Sequence, residues 1–253
     1  DARGNLIRKE WTQAHSHTVY EMSYNESNKE LTRTTTRDSQ VVFTEIKTWD
    51  GDNQLTQVSA HYPGSRNSTE WTYRANGTLS QMDRYEDFTG NGQLNRNNRY
   101  QYDEAGNQIQ FKQDQPYDGM FNWQEDSTYN GRNQMLTRVA TNLNTQIQAT
   151  NMEWNYDSDG NQTLELYKLT GQRTETSYNA DGLIVLQKWF NADGNLSLKS
   201  IYEYTTSGKP LVHTKDHNDD GVPDTTTRWT YDAGENLCQW AINGNDQQIF
   251  YLY

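Results

Sequence analysis

The stretch Trp154-Asn155-Tyr156-Asp157-Ser158-Asp159-Gly160-Asn161-Gln162-Thr163-Leu164 decides the fold. Two rings flank one polar residue, then Asp, Ser, Asp, Gly and Asn intervene before an aliphatic residue returns. Rings at a period of two mark a half-buried strand. Asp, Asn and Gly suit a tight reversal, because a hairpin needs residues that tolerate φ > 0. The segment reads strand, turn, strand.

The same unit recurs along the chain. It appears as Tyr24-Asn25-Glu26-Ser27-Asn28, Trp49-Asp50-Gly51-Asp52-Asn53, Tyr73-Arg74-Ala75-Asn76-Gly77 and Tyr102-Asp103-Glu104-Ala105-Gly106-Asn107. It returns as Tyr129-Asn130-Gly131-Arg132-Asn133, Tyr178-Asn179-Ala180-Asp181-Gly182, Tyr204-Thr205-Thr206-Ser207-Gly208 and Tyr231-Asp232-Ala233-Gly234-Glu235-Asn236. The anchor aromatics lie 25, 24, 29, 27, 27, 22, 26 and 27 residues apart. Fixed-period self-similarity signals a repeat architecture. A second turn halves each period: Phe190-Asn191-Ala192-Asp193-Gly194 nearly copies the unit before it, and Tyr62-Pro63-Gly64, Leu169-Thr170-Gly171 and Ile242-Asn243-Gly244 read the same way. No stretch sustains the apolar spacing of a capped helix.

The expected fold is therefore all-β: tandem antiparallel hairpins in one curled sheet, barrel-like or spiral, since so many strands rarely stay in an open twisted sheet. A β-propeller with two repeats per blade is the alternative. Residues 1–20 fit the pattern poorly and read as an edge strand or cap. Residues 21–253 read as a single repeat domain of about nine β-hairpins.

Composition agrees with a thin interior. Hydrophobic residues are only 32% of the 253 and mean hydropathy is −1.12, values that suit disorder unless patterned. Against that stand 17 Tyr, 8 Trp and only 4 Pro, because rings bury large areas and drive collapse. The net charge of −12 and the absence of a basic cluster argue against nucleic acid and anionic membranes. No apolar run reaches the length of a membrane helix. Cys238 stands alone, so no intrachain disulfide forms. The opening Asp1-Ala2-Arg3-Gly4 is polar and carries no signal-peptide pattern, yet export is the expectation.

The strings Tyr102-Asp103-Glu104-Ala105-Gly106-Asn107, Tyr156-Asp157-Ser158-Asp159-Gly160-Asn161 and Tyr231-Asp232-Ala233-Gly234 resemble the YD (RHS) repeat, Tyr-Asp-x-x-Gly-Asn/Arg. The match is degenerate and its period longer. The resemblance implies a bacterial surface or secreted protein whose sheets spiral into a shell, sometimes with carbohydrate binding.

One string is chemically specific: Asp216-His217-Asn218-Asp219-Asp220-Gly221-Val222-Pro223-Asp224 has the form D-x-N-x-D-G-x-x-D. Side-chain oxygens from Asp216, Asn218, Asp220 and Asp224, with the Val222 carbonyl, could wrap a hard cation such as Ca2+, and Gly221 allows the sharp turn. It resembles the calcium loops of dockerin, thrombospondin type 3 and EF-hand proteins. Thr227 replaces the bidentate Glu of a strict EF-hand. Two further loops start at similar repeat positions. Asp87, Thr89, Asn91, Gln93 and Asn95 keep oxygens throughout but hold one carboxylate; Asp114, Asp118, Met120 and Asn122 lose one donor to Pro116. Fewer charges weaken calcium binding. The alternative is three metal-free turns.

Other constellations are poorer. His15 and His17 share a strand face but lack the partners of a zinc site. Cys238 reads as a small buried thiol rather than a nucleophile. Among 34 acids no pair stands out as a glycosidase couple, and Glu70, Glu153 and Glu203 follow the repeat as solvent-facing strand residues. The expected function is thus a secreted or cell-surface non-catalytic protein, structural or adhesive, with calcium-stabilised turns. The expected partners are glycans or other surface proteins, and exposed edge strands would permit self-association. Two alternatives are a carbohydrate-binding module using Trp71, Trp154, Trp229 and Trp240 as stacking platforms, and a glycan-cleaving enzyme.

Overall fold

The structure, a computed structural model, describes residues 1–13, 16–244 and 247–252, with side chains through Asn243. Every described element is a β-strand, and every described pairing is antiparallel between strands consecutive in sequence. The chain forms two compact units, Asp1–Gln134 with Val139–Ala149, and Met135–Arg138 with Thr150–Tyr253.

The first unit holds β1 (Arg8–Gln13), β2 (Ser16–Tyr24), β3 (Glu30–Arg37), β4 (Gln40–Trp49) and β5 (Leu55–Tyr62). Then come β6 (Ser65–Tyr73), β7 (Leu79–Glu86), β8 (Arg96–Tyr102), β9 (Gln108–Asp114) and β10 (Trp123–Tyr129). These strands pair in an unbroken nearest-neighbour ladder, not in the four-stranded blades of a propeller. Strands β11 (Met135–Asn142) and β12 (Ile147–Tyr156) each give residues to both units.

The second unit continues with β13 (Gln162–Tyr167), β14 (Arg173–Tyr178), β15 (Ile184–Phe190) and β16 (Leu196–Tyr204). It ends with β17 (Pro210–Asp216), β18 (Thr225–Tyr231), β19 (Leu237–Gly244) and β20 (Gln247–Leu252), again paired in sequence order. The turn expected at Ile242-Asn243-Gly244 falls just past it, since Gly244 ends β19 and already faces Gln247 of β20. All three residues lie inside β19, opposite Thr227, Thr226 and Thr225. Isoleucine and a threonine-rich partner strand favour the ladder over a local Asn-Gly reversal.

The anchor turns share one geometry, and Tyr156 illustrates it. The amide of Asp157 donates to the Asn161 carbonyl at 3.0 Å, and Gly160 donates back to the Asp157 carbonyl at 3.2 Å. Asp157 Oδ1 accepts from the amides of Asp159 and Asn161 at 3.0 and 2.9 Å. The fourth residue after the anchor takes positive φ, 95° at Gly160, 62° at Asn28 and 61° at Asn53. This explains why Gly or Asn stands there. In the last turn the strained position falls on Glu235 at 61°, one residue past the glycine that the sequence offers, Gly234. A register shift at eight of the nine anchors, such as Asn155/Tyr156 and Glu203/Tyr204, marks a bulge that re-aims the ring.

The interior is polar. Ala140 is the one buried hydrophobic residue among those described, while Ser59, Asp83, Glu86, Asp87, Asn97, Asn98, Asp114, Ser200 and Asp216 are all buried. The rings expected to supply the core are half-buried instead. Ladder hydrogen bonds and cross-strand pairs such as Trp71 opposite Met82, Tyr100 opposite Phe111 and Trp229 opposite Trp240 carry the cohesion.

Candidate functional site

The three loops singled out for calcium each replace a short turn. Asp87–Asn95 joins β7 to β8, Asp114–Asn122 joins β9 to β10, and Asp216–Asp224 joins β17 to β18. Each begins with a buried aspartate: Asp87 and Asp114 are 2% exposed and Asp216 6%. In each, the sixth residue is a glycine at positive φ whose amide donates to that first carboxylate. Gly92 reaches Asp87 at 2.7 Å, Gly119 reaches Asp114 at 2.9 Å and Gly221 reaches Asp216 at 3.1 Å. The fifth side chain accepts from the seventh amide in all three: Asn91 from Gln93, Asp118 from Met120 and Asp220 from Val222. The loops are one structural device used three times.

Position nine separates them. Asn95 Oδ1 accepts from the amides of Phe88 and Thr89 and from the Thr89 hydroxyl. Asp224 accepts from the His217 amide at 2.7 Å. Asn122 turns its amide nitrogen onto the Gln115 carbonyl and offers that contact as a donor. Burial works against the ionised Asp87, but the hydrogen bonds from Gly92, Gly90 and Thr89 outweigh it and hold its carboxyl below the usual value. The His217 amide does the same for Asp224.

As donors, Asp216, Asn218, Asp220 and Asp224 fit a hard cation in type. Each carboxylate oxygen has about two acceptor directions, so the loop amides leave capacity on them. In the present arrangement Asn218 Nδ2 donates to Asp220 at 2.8 Å, a bond a cation would displace. Among the described residues no three His, Cys, Asp or Glu side chains converge as a metal group. Val222 and Met120 are 67% and 70% exposed, so any role at the seventh position falls to their carbonyls.

Sequence reading missed what the anchor aromatics do. The Tyr73 hydroxyl donates to the Leu55 carbonyl at 2.9 Å, tying its turn to the preceding hairpin. Tyr24, Tyr129, Tyr156, Tyr178, Tyr204 and Tyr231 make the equivalent bond to Leu6, Gln108, Met135, Gln162, Ile184 and Pro210. Trp49 does so through its indole nitrogen to Glu30. Where Tyr102 stands, the Leu79 carbonyl accepts from Arg74 instead, at 2.7 Å. Burial raises the hydroxyls of Tyr73, Tyr156, Tyr178 and Tyr204 above the ordinary tyrosine value, keeping them neutral donors. The only signal in the sequence was the persistence of Tyr where Phe would pack as well.

The turn aspartates give a pH signature. Asn107, Asn161 and Asn236 donate side-chain and backbone hydrogen bonds that lower the carboxyls of Asp103, Asp157 and Asp232. A folded-state value below the unfolded one contributes stability that is complete above the unfolded value of about 3.9 and disappears as pH falls through the folded one. Asparagine fills this position at Asn25, Asn130, Asn179 and Asn191 and makes the same Oδ1 bonds. The triple variant Asp103→Asn, Asp157→Asn, Asp232→Asn is therefore expected to fold, and its melting temperature should fall less than wild type between about pH 5 and pH 2. Parallel acid melts check this.

Trp71, Trp154, Trp229 and Trp240 are all half-buried. Of the acids, Glu203 is exposed as expected, whereas Glu70 and Glu153 are half-buried and engaged by Gln57 and Lys168. Asp83 opposes Glu70 in register and takes Arg99 Nε at 2.7 Å. Beside them Gln57, Arg66, Ser68, Glu70, Tyr85 and Tyr117 line an open depression of about 300 Å³. Cys238 is half-buried, its thiol 3.6 Å from the Asn236 carbonyl. His17 lies 3.4 Å from Glu10, and His15 falls outside the described residues.

No protein-family model matches the sequence, and no curated protein matches it. Among solved structures, the crystal structure of TcdB2–TccC3–Cdc42 is similar over 95% of this chain and 16% of its own, at 12% identity and a TM-score of 0.40. TcdB2–TccC3 without its hypervariable C-terminal region is similar over 100% and 19%, at 12% identity and 0.43. A porin-like protein from Bacteroides uniformis is similar over 96% of both chains, at 10% identity and 0.33. The chain spans less than a fifth of the TcdB2–TccC3 chains that it resembles.

Proposed function

We propose that this chain is a non-catalytic β-repeat scaffold, secreted or displayed at a cell surface, with a structural or adhesive role. The anchor hydrogen bond carries this reading. Eight of the nine anchor aromatics give their polar atom to a carbonyl of the preceding hairpin. Two of the buried carboxylates are likewise engaged within the repeat, Asp83 by Arg99 and Asp114 by the amides of Asp118 and Gly119. The likeness of the Tyr-Asp-x-x-Gly-Asn strings to YD repeats supports the surface or secreted setting.

Tyr73→Phe and Tyr204→Phe should each lower stability by about 1 kcal/mol in urea unfolding, the net worth of one hydrogen bond. Unchanged stability in both would remove the structural role, and release of reducing sugars from a glycan panel would remove the non-catalytic one.

Calcium-stabilised loops belong to the same proposal, supported by the shared one-to-six hydrogen bond and by the carboxylates of Asp216, Asp220 and Asp224 at the ligand positions of that loop. Calcium is expected to raise the melting midpoint and a chelator to reverse it, with Asp220→Ala blunting the shift. Identical midpoints with and without calcium would withdraw the ion. Carbohydrate binding is the second reading, favoured by the ring area that Trp71, Trp154, Trp229 and Trp240 leave uncovered. Trp71→Ala and Trp229→Ala should then weaken retention on immobilised glycans while leaving the melt of the scaffold near wild type.

A further inference from the structure

The three long loops interrupt the short-turn rhythm of the repeat, and two of them, Asp87–Asn95 and Asp114–Asn122, stand side by side. The Tyr117 amide donates to the Asn95 carbonyl at 2.9 Å and fastens one loop to the other. Leu94 of the first loop and Tyr117 of the second wall the open depression of about 300 Å³. Its floor is the sheet. Arg66, Ser68 and Glu70 alternate along β6 and so share a face, Gln57 stands opposite Glu70, and Tyr85 stands opposite Ser68. Trp71, the residue after Glu70, belongs to the other face. Extra loop residues cost ordering entropy and add no rung to the ladder, so two such loops joined over one hollow point to a site.

Several polar atoms here are uncommitted, which sets the hollow apart from the network beside it. Arg66 is exposed and makes no ion pair or side-chain hydrogen bond among the described residues. Glu70 accepts from Gln57 at 2.9 Å through Oε1, and its Oε2 accepts nothing from the described residues. The phenol oxygens of Tyr85 and Tyr117 are equally free among them, and the two rings meet edge to face, 6.4 Å apart at 85°. Tyr117 is 40% exposed. Asp83, by contrast, is held by Arg99 at 2.7 Å and by Gln81 at 2.6 Å.

We propose that this hollow binds a hexuronic acid residue of an acidic polysaccharide. A volume of about 300 Å³ sits at the small end of ligand sites and suits one ring of a longer chain, which the open sides let pass. The Arg66 guanidinium takes the carboxylate through paired N–H donors. Glu70 Oε2 accepts from ring hydroxyls, and the phenols of Tyr85 and Tyr117 donate to them or accept from them. The exposed ring of Tyr117 covers the apolar face of the sugar. A neutral sugar would leave Arg66 without its partner. A free amino acid would set its ammonium against a single carboxylate oxygen, because Asp83 is already taken up by Arg99.

The net charge of −12 works against a polyanion at long range. Recognition is therefore short-range, one carboxylate on one guanidinium, with hydroxyls and a ring face supplying the rest. The site goes beyond the scaffold reading and uses none of Trp71, Trp154, Trp229 and Trp240.

Calorimetric titration of the full chain with a galacturonic acid trimer is expected to show saturable binding. The methyl-esterified trimer should bind about tenfold more weakly, the worth of a charge-assisted contact. In Arg66→Gln the acid form should weaken to the level of the ester, with a melt matching wild type, because Arg66 holds nothing in the fold. Tyr117→Ala should weaken both forms about fivefold. No saturable binding of the acid trimer, equal affinity of wild type for acid and ester, or tighter binding of free phenylalanine would overturn the inference. Binding that survives Arg66→Gln but is lost in Trp71→Ala would also overturn it, while leaving the stacking reading in place. The scaffold reading stands under each of those outcomes, because it concerns the hydrogen bonds within the repeat.

Discussion

Gly64→Ala is expected to cost about 3 kcal/mol, lowering the melting temperature of a chain this size by roughly 6–12 °C. Gly64 closes the tight turn between β5 and β6 at a φ of 80°, a conformation that strains any residue with a side chain. A Cβ there would also stand 2.5 Å from the Gly90 carbonyl oxygen in the Asp87 loop. That neighbour is backbone, held in place by the Gly90 and Gly92 amides on Asp87, so it cannot rotate aside. Gly92→Ala separates the two causes. Its φ of 81° carries the same strain, but nothing lies within 4 Å of a Cβ, so only about 1 kcal/mol should be lost. Equal losses at the two sites would show that the close approach between turn and loop contributes nothing.

Arg99→Met should be comparably damaging, at about 3 kcal/mol, because it removes the cation from a buried carboxylate. Asp83 is 6% exposed, stands opposite Glu70 and accepts from Arg99 Nε at 2.7 Å and Gln81 Nε2 at 2.6 Å. Without Arg99, one amide would be left to satisfy a desolvated charge with a second carboxylate across the ladder. Urea unfolding should move the midpoint at unchanged slope. Adding Asp83→Leu to Arg99→Met should recover much of the loss, since replacing both members of a buried pair with apolar residues is often tolerated. A double variant as unstable as the sum of its parts would mean that the two side chains do not act as a pair.

The repeat was legible because its grammar is local. An aromatic-x-aromatic strand end, an Asx to cap the turn amides and a Gly or Asn at positive φ all act within about ten residues. The exceptions are places where a neighbour overrides that grammar. Ile242-Asn243-Gly244 has turn composition, yet β18 draws it into the ladder. Arg74 fills an Asx position and instead reaches across to the carbonyls of Leu79 and Asp103. The polar interior was unreadable for the same reason. Asp83 and Asp114 resemble any surface acid until Arg99, or the amides of Asp118 and Gly119, are brought to them. The spacing of the three long loops was visible, but not that their first aspartates are sunk beneath them.

The hydroxyl-to-carbonyl tie has a mechanical side. With the Trp49 indole making the same bond, it joins eight of the nine anchor turns to the hairpin immediately before, and within each unit the described strands touch only their sequence neighbours. Cohesion in such an array is a sum of links between adjacent members, as in a zip. Damage at one link stays there, and loss of order starts at whichever flank is bare and moves inward one hairpin at a time. Selection can therefore lengthen, shorten or decorate the array by whole periods without redesigning what remains.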